Sequence, residues 1–334
     1  MQERITLTIE NNVAHVELNR PGKHNALDLE MYRAVAAVQK RLRRIWPLRA
    51  VVLSGAGEDF CSGIDIKSVM KDRAAVLKLL WKWLPWQSNL AQVVSTGWRD
   101  LPVPVIAAVH GRCWGGGLQI ALGADFRLVR PDASLSIMEG RWGLMPDMGG
   151  TLALREITGR DHAMWLSMSA QVFDGHHALE LGLATALSDD PLAGALAMAA
   201  EITERSPDAV AAVKKLYRKS WNSRAGTVLA RETIYQARIL AGRNQGIAVG
   251  RQMGSERSYR VRGRWEAPFS PCPVPLLPGT PPRAARPRRL RALRGRTAAT
   301  REAVRTRSAT SCRSPPCAPC LHSVARRHAA SRCR

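Results

Sequence analysis

Glu139 and Asp147 are two carboxylates eight residues apart in the stretch MEGRWGLMPDMGG (residues 138–150). Gln119 follows three consecutive glycines, Gly115, Gly116 and Gly117. A carboxyl group whose environment tunes it toward neutral pH passes protons to and from carbon or water. A side-chain amide holds a water or a carbonyl by hydrogen bonds but moves no proton at neutral pH. The carboxylates and the amide stand on, or directly behind, glycine-bearing loops, two of three such segments: GEDFCSGIDIKSV (57–69), VIAAVHGRCWGGGLQIALGADFRLV (105–129) and IMEGRWGLMPDMGGT (137–151). Glycine lets a backbone approach a ligand closely, and amides at a helix start favour negative charge. Stabilisation of a developing anion beside acid–base groups is therefore one reading of these loops; a tight strand-to-helix turn is the other. The spacing is neither that of a dinucleotide fingerprint nor that of a phosphate-binding P-loop.

The segments that must position these loops alternate in type. ITLTIENNVAHVELN (5–19) is two alternating runs around Asn11-Asn12, a hairpin signal. Asp28 is placed to cap a helix through about Leu42, with Glu30 in its first turn. RAVVLSG (49–55) predicts a buried strand, residues 74–94 a helical region, and VPVIAAV (103–109) another strand. FRLV (126–129) and SLSI (134–137) predict two further strands. From Gly149 onward the pattern is helical, interrupted only by GLATAL (182–187). Strands alternating with helices place the chain in the α/β class.

Charge divides the 334 residues in two. Residues 266–334 hold 15 arginines, no lysine and 2 acidic residues, a net of +13, together with 11 of the 20 prolines and 5 of the 7 cysteines. Such a segment lacks the apolar periodicity to bury a core and is expected to be disordered. Its abrupt change of composition resembles out-of-frame translation. Cys317 and Cys320 with His322 form one CxxC, a weak zinc signal without a second pair; the arginines would permit nucleic-acid contact, but no nucleic-acid partner is expected. The expected boundaries are 1–265 for the folded domain and 266–334 for the tail. The charged, alternating start MQERITLTIENN does not read as a signal peptide. No apolar run reaches the ~20 residues of a membrane span. A cytoplasmic location without membrane association is expected.

NRPGKHNAL (19–27), FCSGIDI (60–66), VPVIAAVHGRCWGGG (103–117), MEGRWGLMPDMGG (138–150) and ALELGLA (178–184) resemble, in order and spacing, the landmarks of the crotonase superfamily, the enoyl-CoA hydratases and isomerases. The resemblance covers roughly residues 3–265. It implies a crotonase-like spiral of ββα units with a helical C-terminal region, the trimerisation part beginning near residue 200, and a homotrimer or homohexamer. It also implies a coenzyme A thioester as substrate, with no cofactor besides the coenzyme A that the substrate carries, and no metal. Carried onto this chain, the oxyanion-hole amides are those of Ile64 and Gly116. Ser62, Gly63, Asp65 and Ile66 flank or support the adenine-binding stretch, and Arg20, Lys23 and Lys67 are candidates for the coenzyme phosphates.

The candidate catalytic residues are Glu139, Asp147 and Gln119. Hydratases of this family hold a water between two glutamates, and one of those positions is Gln119 here. An acid at the position of Asp147 resembles the dienoyl-CoA isomerase-like branch, although that branch has an aspartate where Gln119 stands. The residues favour double-bond isomerisation by Glu139 with Asp147. The alternatives are a 2-enoyl-CoA hydratase using Glu139 and a water held by Gln119, or a non-catalytic acyl-CoA- or RNA-binding protein. Structural roles remain open for both acids: Glu139 as an exposed charge at a strand end, Asp147 as the cap of a helix starting at Gly149. Trp81, Trp83, Trp86, Trp114 and Trp142 wall an acyl pocket or belong to the core, and Cys61 reads as a packing residue.

Overall fold

The structure is a computed structural model that describes residues 3–69 and 73–265. The tail at 266–334, with Cys317, Cys320 and His322, lies outside the described residues. Among the described residues eight strands are β1 Ile5–Glu10, β2 Val13–Leu18, β3 Ala50–Gly55, β4 Val105–Val109, β5 Arg112–Trp114, β6 Phe126–Val129, β7 Ser134–Ser136 and β8 Ala186–Leu187. The same residues form twelve α-helices: α1 Leu29–Arg43, α2 Ile66–Val69, α3 Arg73–Leu80, α4 Leu90–Arg99, α5 Gly116–Leu122, α6 Gly150–Ile157, α7 Arg160–Ser169, α8 Gly175–Glu180, α9 Pro191–Thr203, α10 Pro207–Ser220, α11 Ala225–Leu240 and α12 Arg243–Gln252. No helix among the described residues is long and apolar enough to cross a membrane.

The main sheet runs β1-β2-β3-β4-β6-β8. Among the described strands of this sheet only the β1–β2 pair is antiparallel, and its turn residues Asn11 and Asn12 adopt the left-handed backbone that such a two-residue turn requires. The central strands β3 and β4 are buried throughout because both sheet faces are covered. Val51, Leu53, Val105, Ala107 and Val109 join one core cluster with α1 and α4 residues such as Val35 and Val94. Their alternates Ala50, Val52, Ile106 and Ala108 pack with Ala195 and Ala199 of α9. The period of two along each strand thus feeds two separate layers.

Helix α1 follows its sequence signals: the Asp28 carboxylate accepts from the Met31 amide, and Met31, Tyr32, Val35, Val38 and Leu42 face inward. The helical region expected over residues 74–94 is instead two helices, α3 and α4. Pro85 lies between them and cannot continue a helix. Asn89 and Gln92 then open α4 as a reciprocal capping box. The tryptophans of this break, Trp81, Trp83 and Trp86, are exposed and belong neither to the core nor to an enclosed pocket. The strand expected at 182–187 shrinks to the two residues of β8, which pair with Leu128 and Val129.

Candidate functional site

Two loops are aligned by short backbone pairing. Cys61 and Cys113 are opposite one another in a parallel bridge. The Cys61 amide donates to the Arg112 carbonyl at 2.9 Å, and the Trp114 amide donates to the Cys61 carbonyl at 3.0 Å. A second parallel bridge joins Leu27 to Ile64, with the Leu27 amide on the Gly63 carbonyl and the Asp65 amide on the Leu27 carbonyl. Ile64 and Gly116 each stand three residues beyond the Cys61–Cys113 pair, so the same register brings both to one end of the loops. Among the described residues neither N–H donates to a protein acceptor.

Glycine is required where these loops touch. Gly63 has φ +92°, and a Cβ there would stand 2.9 Å from the Trp114 carbonyl oxygen and 3.5 Å from the Gly116 nitrogen. A Cβ on Gly117 would meet the Cys61 carbonyl oxygen at 2.3 Å. The side chains of Met148 and Leu27 close over Gly116, where a Cβ would meet Met148 Sδ at 2.8 Å.

Glu139 sits on a 3-10 turn, Met138–Trp142, and is 5% exposed. It is therefore not a strand-end surface charge. Its Oε1 lies 3.4 Å from the Cβ position of Gly115, against the backbone that leads into Gly116. Gln119, on α5 and 1% exposed, donates from Nε2 to Glu139 Oε1 at 2.5 Å. Gln119 Oε1 accepts from the amides of Met148 at 2.9 Å and Gly150 at 3.0 Å. Glu139 Oε2 is buried without a hydrogen-bond partner. Burial raises the Glu139 pKa, with the nearby Asp147 charge adding to it; its own backbone amide and Gln119 oppose the rise.

Asp147 is half-buried, and burial raises its pKa as well. It does not cap α6, whose N-cap is Gly149 without a side-chain bond. Sequence reasoning missed Tyr32. Its buried hydroxyl donates to Met148 Sδ at 3.4 Å, and its pKa is pushed well up by burial first, then by Cys61, Asp147 and Glu139. The available signal was a lone phenol in the inward stripe of α1.

The stretch 62–67 is held from the other side. Ser62 donates its amide to the His24 carbonyl, and Asp65 accepts from the Ser68 amide at 3.1 Å. Arg20 is engaged within the chain by Asp65 at 2.9 Å, Asp28 at 3.6 Å and the Ala26 carbonyl. Lys23 and Lys67 are exposed, and Ile66 opens α2. Cys61 donates its thiol to the Asn25 carbonyl, and burial pushes its pKa up to about 12, which keeps it an inert packing group. Trp114 donates to Ser134, whereas Trp142 is exposed.

The profile of the enoyl-CoA hydratase/isomerase family matches residues 8–253. The chain belongs to this family. The resemblance to crotonases, and among them to the dienoyl-CoA isomerase-like branch, is borne out by relatives in the enoyl-CoA hydratase/isomerase family. The mitochondrial Delta(3,5)-Delta(2,4)-dienoyl-CoA isomerase of Homo sapiens is 34% identical over 220 residues, 63% of this chain. This chain spans 66% of that enzyme's length. The carnitinyl-CoA dehydratase of Proteus mirabilis is 31% identical over 221 residues, 65% of this chain and 81% of that protein. The crystal structure of an enoyl-CoA hydratase from Polaromonas sp. JS666 superposes with a TM-score of 0.66 at 28% identity, covering 77% of this chain and 99% of the other.

Proposed function

We propose that this protein isomerises carbon–carbon double bonds in unsaturated fatty acyl-CoA thioesters, with Glu139 and Asp147 as the proton carriers. The observation that carries the reading is the Glu139 carboxyl group, buried, with one oxygen against Gln119 and the other unpartnered. The thioester carbonyl lies on the Ile64 and Gly116 amides, each of which is worth about 2.7–4 kcal/mol to an oxyanion. One carboxylate takes a proton from the carbon next to the carbonyl. The electron pair moves through the conjugated system onto the carbonyl oxygen as an enolate. The second carboxyl group delivers a proton at the far end of the system, the double bonds shift, and the mass of the substrate is unchanged. Burial raises both carboxyl pKa values, the direction that suits groups that must both hold and release protons. Hydration would need a second proton-carrying group on the water, and the corresponding position is an amide whose oxygen is already taken by two backbone donors.

In this reading residues 1–265 form the acyl-CoA domain, with Ser62, Gly63, Asp65 and Ile66 at the coenzyme and Lys23 and Lys67 near its phosphates. The assembly is a cytoplasmic homotrimer or homohexamer. The test is the full chain incubated separately with a 2-enoyl-CoA and a 3,5-dienoyl-CoA. Unchanged mass with a shifted ultraviolet spectrum from the dienoyl substrate is the expected result. A gain of one water from the enoyl substrate indicates a hydratase, and tight binding without turnover of either indicates a binding protein.

A further inference from the structure

Gln119 uses both ends of its amide within the protein. Two backbone donors, the amides of Met148 and Gly150, converge on one atom of the side chain, and that atom must be the oxygen. The orientation of the amide is thereby fixed, and its nitrogen must face Glu139. An NH2 group only donates. Glu139 Oε1 is therefore an acceptor whether the carboxyl group is ionised or neutral, and a proton on Glu139 has Oε2 as its only position. Oε2 is the oxygen that the protein leaves unpartnered. The same side chain spans the two segments that carry the acids: it touches Glu139 on one side and the turn immediately after Asp147 on the other. Gly150 is crowded against it, since a Cβ there would lie 2.9 Å from Gln119 Cγ.

We infer that Gln119 is a positioning residue that confines proton transfer at Glu139 to Oε2 and sets the placement of the Asp147 turn relative to it. The inference rests on the reading of Glu139 as a proton carrier. A glutamate at this position keeps the acceptor for Met148 and Gly150 but cannot donate to Glu139 unless it is protonated itself. Two carboxyl groups then share one proton, and the ionisation of Glu139 moves to higher pH. A methionine at this position removes acceptor and donor together and leaves the Met148 and Gly150 amides unpaired.

The experiment compares the wild-type full chain with Gln119→Glu and Gln119→Met in two measurements. The first is the pH profile of kcat and kcat/KM for a 3,5-dienoyl-CoA. Gln119→Glu should move the acidic limb up by about one pH unit or more and lower kcat ~10-fold near neutral pH, with KM changed far less. The second is hydrogen–deuterium exchange of the segment holding Met148 and Gly150, which needs no turnover. Protection should survive in Gln119→Glu and fall in Gln119→Met. An unmoved limb with kcat unchanged in Gln119→Glu overturns the positioning role, as does full protection in a folded Gln119→Met. If the wild-type chain does not turn over the substrate, the proposed function fails, and the exchange result alone then decides whether Gln119 holds the turn.

Discussion

Tyr32 donates its hydroxyl to the sulfur of Met148 across 3.4 Å, so helix α1 grips the turn that follows Asp147. Met148 in turn closes over Gly116, which links the first helix to one of the two free amides through a single side chain. The structural consequence of losing the hydroxyl should be small, because a thioether is a weak acceptor. Tyr32→Phe is expected to cost about 1 kcal/mol or less in denaturant unfolding. A loss several times larger would mean that the phenol has a further buried partner.

Gly117 presses its backbone against the Cys61 carbonyl, and this contact fixes the approach of the two loops. Gly117→Ala would place a Cβ 2.3 Å from that oxygen, a separation that only movement of backbone can relieve. The expected cost is about 1–3 kcal/mol of stability. Displacement of Gly116 relative to Ile64 should lower the isomerisation rate ~100-fold, as misplacement of an aligned group typically does. Turnover within a few-fold of wild type would show that the spacing of the two amides does not govern the rate.

Glu139→Gln should lower turnover by ~100-fold or more, the typical contribution of a general acid or base. Its effect on stability runs the other way. The folded carboxyl group holds its proton to higher pH than an ordinary glutamate at 4.5. The stability that accompanies the neutral form is therefore present in acid and is lost as pH rises through the raised value. With Glu139 as the carboxylate that takes up the proton, activity has the opposite sign, because that base must be ionised, so the rate should fall on the acidic side at a pH above 4.5. Thermal melts should show Glu139→Gln more stable than wild type at about pH 8, with the gap closing in acid. A constant gap across that window would contradict the raised pKa.

Much of the scaffold was legible in the sequence because its signals are local. Asp28 before an apolar stripe marks α1, Asn11-Asn12 marks the hairpin, and the β-branched runs mark β3 and β4. The break between α3 and α4 was not read, since the apolar residues around Trp81 and Trp83 imitate helical spacing and override Pro85 unless the Asn89–Gln92 capping box is noticed. The type of each candidate group was visible at Gln119, Glu139 and Asp147, and the family motifs pointed to Ile64 and Gly116. Their mutual arrangement was not, because it depends on the Cys61–Cys113 register and on two amides meeting one side-chain oxygen. Those pairings join residues far apart in the chain and leave no periodic trace. Tyr32 was invisible for the same reason: its partner Met148 lies 116 residues away.

Asp147 separates the two kinds of isomerisation. Its carboxyl group is half-buried, has no hydrogen-bond partner in another residue among those described, and does not cap α6, so no structural duty accounts for it. A shift across one double bond moves a proton over a short distance, and a single carboxyl group such as Glu139 can take it up and return it. A conjugated 3,5-dienoyl chain must gain its proton several carbons from where it lost the other, beyond the reach of one group. Asp147→Asn keeps the size of the side chain and removes the transferable proton. It should cut 3,5-dienoyl isomerisation by ~100-fold or more while leaving Δ3-to-Δ2 isomerisation of a mono-unsaturated acyl-CoA within a few-fold of wild type. The variant should also lower the Glu139 pKa slightly, because the Asp147 charge is one of the causes that raise it. The acidic limb of the remaining activity should then move toward lower pH. Equal loss on both substrates would make Asp147 a structural residue, and no loss on either would leave Glu139 as the one proton carrier.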